Sequence, residues 1–180
     1  ANENLGQKLA AMQNFSANFT QQTFADGKLL QKVEGKIRWQ QPDAFYWQAL
    51  EPQAQILVGD GEKIYHYDQD LEQVLVQDYQ SQKQHSPLMM ILSNNSHIKQ
   101  FYRVIEMPAQ TQTIYELSAK DKKAPVQKVL LMFSPKLSAM HFIDSLQQKT
   151  EITFTGVSNQ SVDSSLFEFT VPEGVDVLHE

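Results

Sequence analysis

Five histidines, His66, His85, His97, His141 and His179, are the side chains best suited to acid–base or metal chemistry in this sequence. A hydrolytic zinc site would need two of them at H-E-x-x-H or H-x-x-x-H spacing, and neither spacing occurs. They read as surface or strand-face histidines. Serine offers no better nucleophile, because there is no G-x-S-x-G elbow to lift its hydroxyl out of the fold. Neither G-x-G-x-x-G nor a Walker loop is present, so no run of backbone N–H groups is shaped for a nucleotide phosphate. Asp68, Asp70 and Glu72 alternate like the opening ligands of a calcium loop. The loop's glycine and closing glutamate are missing, which makes this stretch a turn. Cysteine is absent, excluding thiol catalysis, thiolate zinc and disulfide bonds. The expectation is a protein that is not an enzyme and that carries no metal or cofactor.

The informative residues are apolar. Trp39, Phe45 and Trp47 alternate on adjoining strand segments, which puts them on one face of a sheet. The run Leu88-Met89-Met90-Ile91-Leu92 follows Ser86-Pro87, a capping hydroxyl ahead of a proline at the first helical position. Two methionines in a short capped helix make a flexible, polarizable surface that can repack around varied apolar guests. A closed barrel needs no such plug. A half-open barrel with an apolar interior does.

Those side chains need elements to hold them. The 180 residues, 41% hydrophobic and 10% aromatic, are the length of one domain and enough to bury a core. No apolar run approaches the ~20 residues of a membrane-spanning helix. A net charge of −6 argues against nucleic acid as a partner, and two arginines, Arg38 and Arg103, leave few bidentate clamps for anions. Leu5, Leu9 and Met12 fall on one helical stripe, and at Phe15 the period changes to two. Asp26-Gly27 signals a hairpin, and Gly59-Asp60-Gly61 reads as the sharpest turn. Alternating segments recur through Val76, break from Asp78, and resume from Tyr102 to Val157 after a helical insertion whose second short turn spans 97–101. Asp163-Ser164-Ser165 caps one more turn. The pattern is mainly β with helices: about ten or eleven antiparallel strands curled toward a barrel, with a sandwich as the generic alternative.

The order of several stretches resembles the periplasmic lipoprotein carriers of the LolA family. They are Phe15-Ser16-Ala17-Asn18-Phe19-Thr20-Gln21, Glu34-Gly35 leading to Pro42-Asp43-Ala44-Phe45-Tyr46-Trp47, and Gln55-Ile56-Leu57-Val58-Gly59-Asp60-Gly61. Tyr65-His66-Tyr67-Asp68, Leu71-Glu72-Gln73-Val74, Ser86-Pro87-Leu88-Met89 and the stretch from Phe167 through Pro172 to Val175 continue the series end to end.

The resemblance implies a single carrier domain over 1–180, an incomplete antiparallel barrel covered by an α-helical lid that encloses an apolar cavity. The lid is expected from an N-terminal helix over 1–14 and a helical insertion over 86–101. Leu9, Phe45, Trp47, Leu57, Leu88, Met89 and Ile91 match family cavity or lid positions, and alternation adds Trp39 and Met90. The implied cargo is the acyl chains of lipoproteins. The implied partners are an inner-membrane ABC transporter that releases the cargo and the outer-membrane acceptor LolB, with this chain a monomer. Ala1-Asn2-Glu3-Asn4 fits a mature exported chain after signal-peptide removal, hence a periplasmic location. One departure stands out: the family's latch arginine before the proline is Gln41 here, which leaves Gln41 itself, Arg38 or another residue to hold the lid. The rival readings are a LolB-like acceptor, a sensor domain like that of RseB, a general lipid shuttle and a lipid-acting enzyme. The first lacks its lipidated cysteine and the second its extra domain. The enzyme lacks a nucleophile–base pair.

Overall fold

The computed structural model describes residues 2–93 and 98–180; the expectations for Ala1 and His97 lie outside them. Helix α1 (Asn2–Ala10) buries Leu5 and Leu9, and Met12 beyond its end is buried with them. The next three strands are β1 (Asn14–Ala25), β2 (Lys28–Gln40) and β3 (Ala44–Glu51), followed by β4 (Gln55–Asp60), β5 (Lys63–Asp68) and β6 (Gln73–Asp78). Their period of two is plain in β2, where Val33, Ile37 and Trp39 are buried and Lys32, Glu34 and Lys36 are exposed.

Three short helices interrupt the strands: α2 (Tyr79–Lys83), α3 (Pro87–Leu92) and α4 (Ile98–Phe101). Asp78 caps α2 by accepting from Ser81 N–H, and Ser86 caps α3 by accepting from Met89 N–H at 3.2 Å, with Pro87 in the first turn as expected. The chain then runs through β7 (Tyr102–Pro108), β8 (Thr113–Ala119), β9 (Val126–Phe133), β10 (Leu137–Asp144) and β11 (Lys149–Ser158). A 3₁₀ turn (Ser164–Phe167) capped by Asp163 and a last strand, β12 (Asp176–His179), complete it.

All these strands form one sheet in the order β12-β6-β5-β4-β3-β2-β1-β11-β10-β9-β8-β7. Neighbours are antiparallel except β12, which joins β6 in parallel. β12 and β7 are the edges, so the sheet stays open. The twelfth strand is additional to the ten or eleven expected. Its four residues are all exposed, so no buried alternation announces it.

Two glycines decide how closely strands approach. Gly59 does not form the expected turn: it lies within β4 opposite Phe45, and a Cβ there would collide with the Phe45 ring. The turn is made by Gly61, whose φ of +94° a side chain would oppose. Gly35 faces the backbone carbonyl of Gln48 so closely that a Cβ has no room. The Asp68 turn is as read from the sequence: its Oδ1 accepts from the N–H groups of Asp70 and Leu71.

The two faces of the sheet carry separate cores. The inner face joins α1 and α3 in one large cluster that includes Phe15, Trp39, Phe45, Ile91, Leu92, Leu117 and Leu131. The outer face of β4 to β6 is covered by the segment after β11. There Val58, Val74, Val76 and Phe167 are buried, and Phe169 stacks on Tyr65 at 5.3 Å. No helix among the described residues is long and apolar enough to cross a membrane.

Candidate functional site

Register places the inner-face residues in rows. Phe15, Trp39, Phe45, Gly59 and Ile64 oppose one another across β1 to β5. The next row is Ala17, Ile37, Trp47, Leu57, His66 and Leu75, across β1 to β6. The third, Phe19, Gly35, Ala49, Gln55, Asp68 and Gln73, ends in polar residues. The face is therefore apolar over β1 to β3 and takes polar residues toward β6, at Gln77 beyond Ile64 in the first row, His66 in the second, and Gln55, Asp68 and Gln73 in the third. Aromatic stacking stiffens it: Trp39 lies on Phe45 with centroids 5.1 Å apart and 6° between planes, and Phe19 lies on Trp47 at 5.4 Å.

Side chains of α1 and α3 join the first row in one cluster. Leu9 of α1 and Met89, Ile91 and Leu92 of α3 are buried in the same cluster as Trp39 and Phe45, while Trp47, Leu57, Leu88 and Met90 are partly buried against it. All nine apolar residues singled out from the sequence thus meet in one cluster. Tyr79, fully buried and 6.2 Å from Phe45, and the fully buried Leu92 were not singled out. Leu92 lies within the apolar run already noted, but Tyr79 follows the point where strand alternation stops.

Gln41 is hydrogen-bonded to α1 and to the segment that follows it. Its Nε2 donates to the Leu9 carbonyl at 2.9 Å, and its backbone N–H donates to Gln13 at 2.7 Å. Arg38 does not substitute for a latch: its guanidinium stays on the sheet, donating to the carbonyls of Ile37 at 2.8 Å and Ala17 at 3.4 Å. Lys83 of α2 pairs with Asp43 at 3.2 Å, and Lys8 of α1 sits 5.1 Å over the Phe133 ring. The neutral Gln41 bond is worth about 0.5–1.5 kcal/mol. Gln41→Leu is therefore expected to lower Tm by about 2–5 °C for a chain of this size and to speed uptake of an acylated guest in a stopped-flow measurement. Unchanged uptake and unchanged Tm together would show that Gln41 latches nothing.

The first row of the inner face is tightly buried, with Phe15, Trp39 and Phe45 exposed by only 0%, 2% and 4%. Among the described residues, a hollow of about 120 Å³ lies between α1 and the sheet, lined by Lys8, Met12, Phe15, Phe133 and Leu137. A polar cleft of about 470 Å³ opens beside the latch, lined by Gln13, Asn14, Gln40, Gln41, Pro42 and Ser93. A chain-like guest can reach the apolar rows only if helix side chains give way, a task that suits Met89 and Met90. Three polar atoms inside the apolar cluster lack a hydrogen-bond partner, Trp39 Nε1 and the hydroxyls of Tyr79 and Tyr115, and of these the indole N–H is purely a donor. An orphaned donor of this kind costs about 1–3 kcal/mol.

No group of three His, Cys, Asp or Glu among the described residues is placed to hold a metal ion. His66, on the inner face, is 3.3 Å from Gln55 Oε1, and burial pushes its pKa below the usual histidine value against the opposing charge of Asp68. His141 of β10 is likewise lowered by burial. Burial, then the Asp43 charge, pushes the Tyr79 hydroxyl well above the usual tyrosine range.

Comparison with known proteins gives one consistent family. The family model described as outer membrane lipoprotein carrier protein LolA matches residues 10–170. The outer-membrane lipoprotein carrier protein of Hahella chejuensis is 34% identical over 177 residues, covering 96% of this chain and 85% of the relative. Among solved structures, an uncharacterized conserved protein from Thermus thermophilus superposes with a TM-score of 0.64 at 11% identity, over 99% of this chain and 98% of the other. A LolA superfamily protein from Nitrosomonas europaea gives 0.52 at 11% identity, over 93% and 97%. At such identity these two likenesses speak for the fold alone.

Proposed function

This chain belongs to the LolA family of outer-membrane lipoprotein carrier proteins, and we propose that its inner sheet face and covering helices are the hold for the cargo's acyl chains. It is a lipoprotein carrier, a chaperone that keeps acyl chains out of water. Trp39, Phe45, Trp47 and Leu57 form the floor of that hold, and Leu9, Leu88, Met89, Met90 and Ile91 form its lid. Residues 1–14 and 86–101 are the lid segments of one carrier domain spanning 1–180. The single observation that carries this reading is that all nine side chains, drawn from three strands and two helices, share one apolar cluster.

The energetics suit carriage. Each buried methylene is worth about 0.8 kcal/mol, so partial burial of one acyl chain supplies ample affinity. Release is the harder task, and non-directional contacts with few polar anchors allow a guest to be handed over gradually. In this reading the carrier works as a monomer in the periplasm. It receives cargo from an inner-membrane ABC transporter, delivers it to the acceptor LolB, and catalyses no reaction.

A partition assay tests it. The protein is mixed with phospholipid vesicles carrying a labelled triacylated lipopeptide, and the vesicles are then sedimented. Label drawn into the supernatant with the protein supports the carrier reading; label left wholly with the vesicles at excess protein contradicts it.

A further inference from the structure

We propose that Trp39 is the polar anchor of the hold: its Nε1–H takes an acyl carbonyl oxygen of the guest and fixes how deep the acyl chain sits. The inference rests on the carrier reading and adds to it a donor, an acceptor and a direction.

Three observations carry it. Trp39 is 2% exposed, and its Nε1 lacks any partner. Buried indole N–H groups ordinarily find an acceptor, and here the cross-strand neighbours on either side are the hydrocarbon rings of Phe15 and Phe45. A phenylalanine would fill an aromatic place against Phe45 without carrying an unpaired donor. The N–H is therefore matched to something that is not part of the chain.

The surroundings select what that is. On one side of Trp39, its chain neighbours Gln40 and Gln41 line the polar cleft of about 470 Å³ together with Gln13, Asn14 and Ser93. On the other side, the next row of the inner face offers Ile37, Trp47 and Leu57. Trp39 itself does not line the cleft, so a guest bonded to it reaches past Gln40 and Gln41, with its polar end toward the cleft and its apolar end along the sheet. A molecule with a carbonyl at the junction of head and tail fits that order, which describes an acyl ester or an acyl amide. Both occur in a lipidated cysteine, the ester on its glyceryl group and the amide on its nitrogen.

The test compares wild type with Trp39→Phe, which keeps an aromatic ring and removes the donor. Three lipopeptides compete against a fluorescent fatty acid: one with ester-linked chains and a free amine, one with ether-linked chains and an N-acyl amide, and one with ether-linked chains and a free amine. Wild type is expected to bind the third, which has no acyl carbonyl, roughly threefold to tenfold more weakly than whichever of the others supplies the acceptor. Trp39→Phe is expected to lose that preference and to bind the three lipopeptides alike, whatever the smaller ring does to all of them in common. Which of the first two loses affinity on substitution identifies ester or amide as the source. Because the substitution also shrinks a buried ring stacked on Phe45, Tm is expected to fall by a few degrees, and binding is normalised to the folded fraction.

Equal weakening of all three lipopeptides would mean that only ring packing matters and would overturn the anchor. So would no change in any of them. Failure of wild type to bind any of the three would instead overturn the carrier reading on which the anchor depends.

Discussion

Phe45→Glu is expected to abolish uptake of a triacylated lipopeptide, with affinity falling at least tenfold, whereas Phe45→Leu stays within about threefold of wild type. Phe45 is 4% exposed, stacked on Trp39 and held over Gly59. A carboxylate at that place has no partner of opposite charge in its row, and an unpaired buried charge is strongly disfavoured. It protonates or turns outward; in either case the floor of the hold loses its central ring. Because the residue is part of the closed core, the substitution also costs stability, about 3–5 kcal/mol by comparison with other large-to-small core changes. Binding is therefore measured well below the melting temperature and normalised to the folded fraction seen by circular dichroism. Undiminished uptake by folded Phe45→Glu would remove Phe45 from the site.

Gly35→Ala is expected to be the most destabilising single-methyl change in the sheet. The added Cβ meets the backbone carbonyl of Gln48 on β3 and the Phe19 ring, at a point where the β2–β3 register shifts between Glu34 and Gly35. A side chain can rotate away from such a contact, but a paired backbone cannot; the strands must part and their ladder bonds lengthen. Overpacking costs of about 3 kcal/mol translate into a Tm lowered by about 6–12 °C for a chain of this size. Gly59→Ala is the informative contrast. Its obstacle is the Phe45 ring, which can swing aside, so the loss of Tm is expected to be smaller and the loss of lipopeptide binding larger. Equal thermal shifts in the two variants would show that neither glycine is there for close approach.

Most strands were legible because their faces differ. Val33, Ile37 and Trp39 alternate with charged neighbours, and Phe45, Trp47 and Ala49 continue the same face after the turn at Pro42. Where alternation failed, so did the reading. The exposed strand Asp176–His179 has no buried side to reveal it, and it pairs with β6, about a hundred residues away along the chain. Gly59 looked like part of a turn because glycine before Asp60-Gly61 has a ready local explanation. Its actual reason, the ring of Phe45 across the ladder, exists only once β3 and β4 are paired. The apolar residues of the site were readable from type and spacing together with the family resemblance. Gln41 was readable as a departure but not as a solution, since its acceptor, the Leu9 carbonyl, comes into reach only when α1 packs. The orphaned Trp39 N–H is likewise a property of the packed interior and has no signature in the chain.

The carrier reading turns on whether this interior, closed by its own side chains, admits an acyl chain. Native mass spectrometry of the wild-type protein with a triacylated lipopeptide, beside the same peptide without its acyl chains, asks that directly. A one-to-one complex with the lipopeptide and none with the bare peptide is the result expected from an apolar hold under a yielding lid. Absence of any complex with the lipopeptide, at concentrations where the protein is folded, would contradict it.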